Sequence, residues 1–363
     1  MSVTRRYDID WLRVIAIGLL IIYHIAIVFQ PWAMFIGFVR SNEFLETLWK
    51  PMTLLNVWRI PLLFYVSGMG MFFALRKRNW KQLLTERSKR ILLPFLFGVI
   101  AITPLHMFLF QGFYNIPFDY YAHQGHLWFL GNIFVYVVLL LPVFIWLKQN
   151  ENSKLHQTLK NWMANPLGPL SIVIFFILEA EFVAPQIFSL YAQTWHGFFL
   201  GFIAFFFGFL MMYSGQSLWK ILLKWRWMYF VIALILFVIR FIYFNTEAPG
   251  YLTAVESNCW IFTLFGFAYK YLNKPSEKLS YLSAAVYPVY ITHMFVLNIG
   301  ALVILPLEIA PIFQFILIIV FTFIGCFMLY EFVIKRIGVF KMIFGLKWER
   351  KVVPKVKEIR IKG

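Results

Sequence analysis

The chain is short of charge, of acid and of cysteine. Only 13% of its 363 residues are charged. That is too few to clothe a soluble domain of this size, and a soluble globular protein is excluded. Its two cysteines, Cys259 and Cys326, both sit in apolar runs and read as packing residues, not as a disulfide or a metal site. No Cys/His cluster has zinc spacing, and no glycine-rich nucleotide fingerprint occurs. Acids number 16 against 33 Lys and Arg, a net charge of +17. Polar stretches between the apolar runs are short, which leaves no room for a large soluble domain. Any chemistry therefore belongs inside a membrane bundle.

What the chain has is apolar length. Hydrophobic residues make up 61% and aromatics 21%, including 43 Phe. Stretches long enough to cross a bilayer recur about ten times: 11–29, 52–75, 91–110, 127–147, 169–190, 195–213, 227–244, 251–271, 281–305 and 311–334. The expected fold is all-α and polytopic, with about ten transmembrane helices. The first run is too long for a signal-peptide core and lacks a small-residue cleavage site, so the first span is read as retained.

The basic residues test this map. With both termini cytoplasmic, 28 of the 33 Lys and Arg fall in inner segments, among them seven between Arg76 and Arg90 and ten from Lys335 to Lys362. Outer loops hold only Arg40 and Lys50, while Arg13, Arg59 and Arg240 lie within spans. This is the positive-inside pattern. It explains the net charge through topology and anionic lipid and removes the need for a nucleic-acid partner. Residues 1–340 read as one transmembrane domain and 341–363 as a basic cytoplasmic tail.

Ionisable groups within spans are expensive and mark cavities or partners. Arg13 and His24, eleven residues apart, share one face of the first helix at a separation of about 16 Å. Arg13 either snorkels to the inner headgroups or lines a passage; Asp10, three residues before it, can pair with it. His24 is either a satisfied buried histidine or part of a site. Arg59, His106, His126, Glu179, Glu181, His196, Arg240, Glu256 and Asn258 gather towards the outer side, as around a wet vestibule, and His293 lies near mid-depth. On the inner side, Arg87 and Arg90 are i,i+3 neighbours able to clamp a phosphate. Ser67, in "SGMG", reads as a small residue at a helix contact before a nucleophile.

These residues carry a resemblance. Arg13, ten residues and His24 resemble the R-x10-H motif of the bacterial membrane acyltransferase family 3, and Arg87-Ser-Lys-Arg90 resembles its RxxR motif. "RIPLLFYVSGMG" (59–70), "HLWFL" (126–130) and "YPVYITH" (287–293) resemble its recurring blocks, in order along the chain. The "YDIDWLRVIA" opening is similar to the glucan succinyltransferase subgroup, of the glucan biosynthesis protein C type. The resemblance implies transfer of an acyl group, acetyl or succinyl, from cytoplasmic acyl-CoA to a hydroxyl of a periplasmic or cell-surface glycan. It implies a multi-pass protein of the bacterial inner membrane and no tightly bound cofactor, acyl-CoA being a cosubstrate. It implies a catalytic His24 and donor-site roles for Arg87 and Arg90, with Arg13 as a further donor-site candidate. Asp10, Arg59, His126, His196, Arg240, Asn258 and His293 are supporting candidates, chosen by position in the membrane. A transporter of a sugar or small anion is the rival reading, and an acyl-CoA site at the inner face separates the two.

Overall fold

The computed structural model describes residues 5–245 and 247–346. Every regular element among them is helical. Ten helices account for the ten apolar stretches: α1 (Tyr7–Val28), α2 (Trp49–Arg76), α3 (Trp80–Phe113), α4 (Trp128–Gln149), α5 (Leu167–Val183), α6 (Trp195–Tyr213), α7 (Gln216–Tyr243), α8 (Gly250–Tyr271), α9 (Glu277–Ile304) and α10 (Pro311–Ile334).

Eight of the ten are long and apolar enough to cross a membrane, and nine if α5 is joined to the short helix Lys154–Met163 before it, from which it bends by 96°. The expected ten is thus reduced at two places. Alone, α5 has only 17 residues. The other exception, α8, is long enough but carries Thr253, Glu256, Ser257, Asn258 and Thr263, all buried. Its polarity faces neighbouring helices, so a hydropathy test undervalues it.

Burial separates centre from rim. In the spanning stretch of α2, 83% of residues are buried, and in α9 72%, against 17% in α7 and 22% in α10. The central pair α2 and α6 touch backbone to backbone. A Cβ on Gly68 would lie 1.9 Å from the Phe205 carbonyl oxygen, and one on Gly208 2.1 Å from that of Tyr65. Small residues therefore set this contact. The hydroxyl of Ser67 donates to the Leu63 carbonyl at 2.7 Å, within its own helix.

Prolines inside the helices leave carbonyls four residues back without their usual N–H, and lipid cannot supply a replacement. Pro61 frees the Val57 carbonyl, which accepts from Tyr191 at 3.0 Å and Ser257 at 2.7 Å. Pro104 frees the Ile100 carbonyl, which accepts from the Tyr120 hydroxyl at 2.8 Å. In α3, Pro94 and Pro104 each follow a π-helical turn, Ser88–Leu92 and Gly98–Ile102. A third such turn, Leu329–Ile334, closes α10.

At one end of the bundle, here the basic end, Arg6 pairs with Asp8 at 2.6 Å and lies 3.7 Å over Trp219. Arg76 there joins Glu151 across helices at 3.0 Å. The opposite end is the far end. Of the predicted tail, residues 341–346 fold back as the end of a short helix (Gly338–Ile343) and the turn after it; 347–363 lie outside the described residues.

Candidate active site

Two polar features lie along α1. The first is a cavity of about 670 Å³ at the basic end. Arg5, Arg13, Arg87, Arg90, Lys335 and Lys341 all line it, and among the described residues no Asp or Glu does. Six cations converging on one cavity suit an anion. Arg5 lies just before α1 and Arg13 within it, Arg87 and Arg90 come from α3, Lys335 follows α10, and Lys341 comes from the short helix Gly338–Ile343. Arg13 and Arg87 meet around Gly70: Arg87 donates to its carbonyl at 3.3 Å, and a Cβ there would lie 3.7 Å from Nη2 of Arg13. Arg90 sits within the first π-helical turn of α3, so the regular i,i+3 relation expected for Arg87 and Arg90 does not hold; they reach the same cavity from a wider turn. Glu86 ties Arg90 at 3.2 Å and Arg78 at 3.3 Å. Asp10 bridges Arg5 at 3.0 Å and Arg13 at 3.6 Å, so it orients cations at the cavity's rim.

The second feature is a stack of histidines deeper in the bundle. The Nδ1 of His24 lies 2.8 Å from Nε2 of His293, with the rings nearly parallel at 8° and 5.1 Å between centroids. The Nδ1 of His293 faces the Tyr290 carbonyl at 2.6 Å. A carbonyl only accepts, which places the proton of His293 on Nδ1. In neutral His293 the Nε2 is then an acceptor, so His24 donates from Nδ1. Neutral His24 is left with a lone pair on Nε2, which no described residue engages. Half-buried, His24 keeps that nitrogen open to a reactant.

His126 adjoins, its ring 4.9 Å from His293. Its Nε2 donates to the Ile291 carbonyl at 3.2 Å, and the Tyr290 hydroxyl donates to the backbone carbonyl of His126. The neutral ring then presents a lone pair at Nδ1, which is buried without a partner. Such a group accepts and does not stabilise an oxyanion. His106 lies 5.7 Å from His126, and His123 6.2 Å beyond, so five of the seven histidines form one row. Arg59 lies over the ring of Tyr23, beside His24, at 4.0 Å.

Three supporting candidates are engaged elsewhere. His196 is held between Glu179 at 2.9 Å and the Phe188 carbonyl at 2.8 Å. Arg240 grips Glu256 with two bonds, 2.7 and 2.9 Å, and donates to the Thr53 carbonyl at 3.2 Å. Asn258 accepts from Tyr65 at 2.8 Å and donates to the Ala254 carbonyl at 2.9 Å. They share depth with His24 but fasten helices together. The single passage expected along α1 is also interrupted: His24 does not line the basic cavity, and Ile17, Leu20 and Ile21 between them are buried.

The acyltransferase domain profile matches residues 6–331. The chain belongs to that acyltransferase family. No curated protein and no solved structure matches it. The match is to a family of acyltransferases, and it covers both the histidine stack and most of the basic cavity. Sequence reasoning missed Arg5, Lys335 and Lys341 as cavity residues of this acyltransferase. Only their charge signalled them, and positive-inside loops are charged in any case.

Proposed function

We propose that this acyltransferase takes an acyl group from acyl-CoA bound at the basic end and transfers it to a glycan hydroxyl arriving from the far end. The tautomer-fixing contact between His24 and His293 carries this reading. An acceptor hydroxyl beside His24 gives its proton to Nε2 as its oxygen attacks the thioester carbon. The C–S bond breaks, and the CoA thiolate leaves with the proton that His24 took. No net proton is gained or lost. A positioned base of this kind contributes about 10²–10⁴-fold. His293 plays the part of the orienting partner, receiving Nδ1–H and supporting the positive charge that forms on His24.

CoA is polyanionic and cannot enter lipid, so its phosphates need cations at the rim. Arg13, Arg87, Arg90, Lys335 and Lys341 provide them, as bidentate guanidinium and point-charge partners. The pantetheine arm then covers the roughly 16 Å along α1 to His24. Side chains between the cavity and His24 must part for it, so donor binding opens the passage. In this proposal the basic end faces the cytoplasm of a bacterial inner membrane, a placement that the charge asymmetry supports.

The test is CoA release by the purified protein supplied with acyl-CoA and a glycan, followed by mass measurement of the product. His24→Ala should keep its helical content and lose transfer by about 10²-fold or more. Near-normal turnover in that variant refutes the assignment.

A further inference from the structure

Arg59 is a buried cation without an anion. It is 2% exposed, yet among the described residues no acidic side chain forms an ion pair with it. Its side-chain partners are both neutral: Asn56 Oδ1, which Nη2 reaches only at the long distance of 3.5 Å, and the Tyr23 phenol. The Nε and Nη1 hydrogens are buried with no acceptor at all. One face of the group rests on Tyr23, which supplies ring electrons but no full negative charge. A guanidinium does not neutralise itself by losing a proton, so the charge stays.

The other buried arginine at this end shows what satisfaction looks like. Arg240 has both oxygens of Glu256 and a backbone carbonyl. Glu179 gives Oε1 to His196, and although its Oε2 is buried without a partner it forms no ion pair with Arg59 among the described residues. Resident acids thus serve other groups. The Nε–H of Arg59, which has no acceptor, and the Nη2–H beside it form the fork edge that a carboxylate accepts from, the edge Arg240 turns to Glu256.

Position identifies the occupant. Tyr23 precedes His24 in sequence, and their rings are 5.9 Å apart. Reacting atoms must come within about 3–3.5 Å of their partners. A group beside His24 therefore belongs to the acyl chain or to the acceptor, because the phosphates of CoA are held about 16 Å away along α1.

We propose that Arg59 is a carboxylate-binding subsite of the reaction centre, filled by an anionic substrate group. The carboxylate sits on the acyl chain, as in succinyl-CoA, or on the acceptor, as in a uronic acid. The chemistry at Arg59 is the same in both. This rests on the acyltransferase reading for the identity of the substrates, but not for the existence of the anion site.

The experiment measures ligand affinities of the full-length protein in nanodiscs by thermal shift over a concentration series. Succinyl-CoA is compared with butyryl-CoA, a neutral chain of equal carbon count, and methyl glucuronide with methyl glucoside. In one pair the anionic ligand should bind at least tenfold more tightly. The donor pair assigns the carboxylate to the acyl chain, and the acceptor pair assigns it to the glycan. Arg59→Gln should bring that ratio to within threefold of unity, and Arg59→Lys should restore part of it. Wild-type ratios below threefold in both pairs overturn the proposal, whether or not any variant folds. So does a preference that persists in Arg59→Gln. Absence of CoA release with every donor, alongside an intact Arg59-dependent preference, would refute acyl transfer and leave the subsite standing.

Discussion

At the scale of the residue, the decisive feature is a chain of obligatory proton positions. The Tyr290 carbonyl dictates where His293 carries its proton, and His293 dictates the same for His24. His293 is thus a positioning residue. His293→Ala should lower kcat by about 10- to 10²-fold, less than a general base's full contribution, with the KM for both substrates within about twofold. His293→Gln restores a group able to accept from His24 and should recover part of the rate. Steady-state kinetics of the two variants check this; equal losses of kcat in both, or a loss confined to KM, would count against the orienting role. The residue scale is also where sequence reasoning reached its limit. His196, Arg240 and Asn258 were placed with His24 by depth, which an apolar span does report. Depth says nothing of azimuth. Which helix faces which is set by packing between residues far apart in the chain, such as His24 and His293, and no local periodicity encodes that. His24 stood out because Arg13 shares its helix and hence its face, the one azimuthal relation that a sequence fixes.

Elements hold these residues through close contact and through repaired carbonyls. The α2–α6 contact brings the "SGMG" segment, with Gly70 between Arg13 and Arg87, against the bundle centre. Gly68→Ala would set a methyl 1.9 Å from the Phe205 carbonyl oxygen, an atom of a helix backbone that cannot swing aside. Overpacking of this sort costs about 1–3 kcal/mol. The variant should unfold several degrees lower in a thermal scan of the purified protein, and Gly18→Ala, where a Cβ meets nothing within 4 Å, should not. Unchanged melting of Gly68→Ala would show that α2 and α6 separate easily. The apolar stretches and their helical character were legible beforehand, because hydrophobic length is a local property. The π-helical turns of α3 were not. They combine a proline with a tertiary demand, since Gly345 lies so close that a Cβ there would be 2.8 Å from the Arg90 carbonyl oxygen, the acceptor that Pro94 leaves free. With φ at +70°, Gly345 holds a turn that other residues rarely adopt, and this brings the chain back over the basic cavity.

For the whole molecule, the question is which end faces which solution. The six cations of the basic cavity and the 28 inner Lys and Arg lie on one side of the map, with two outside. The proposed acyl-CoA donor is met in the cytoplasm, and positive charge resists export during insertion. The proposal and the charge pattern orient the bundle the same way. Three exposed positions report on it: Asn115 after α3 and Glu247 before α8 at the far end, and Asn152 between α4 and the short helix at the basic end. Single cysteines at these sites have little competition, because Cys259 and Cys326 are buried and free. An impermeant thiol reagent applied to intact cells should label Asn115→Cys and Glu247→Cys, while Asn152→Cys should react only after the membrane is opened. This pattern also tests α5, one of the two helices that fall short on length or hydropathy. Between Asn152 and Glu247 lie α5, α6 and α7, an odd number of crossings, so the two sites must differ. Were α5 to lie in the interface with its bent neighbour, the count would be even and both would label alike. Reaction of Asn152→Cys in sealed cells would therefore remove the orientation, whereas protection of both Asn152→Cys and Glu247→Cys would remove the crossing by α5. A label at a cysteine placed at Ser214, between α6 and α7, is buried and uninformative, whereas Gln216→Cys at the start of α7 separates the two. Labelling of Gln216→Cys alongside protection of Asn152→Cys and Glu247→Cys would leave the cytoplasmic basic end in place and cost only α5 its crossing.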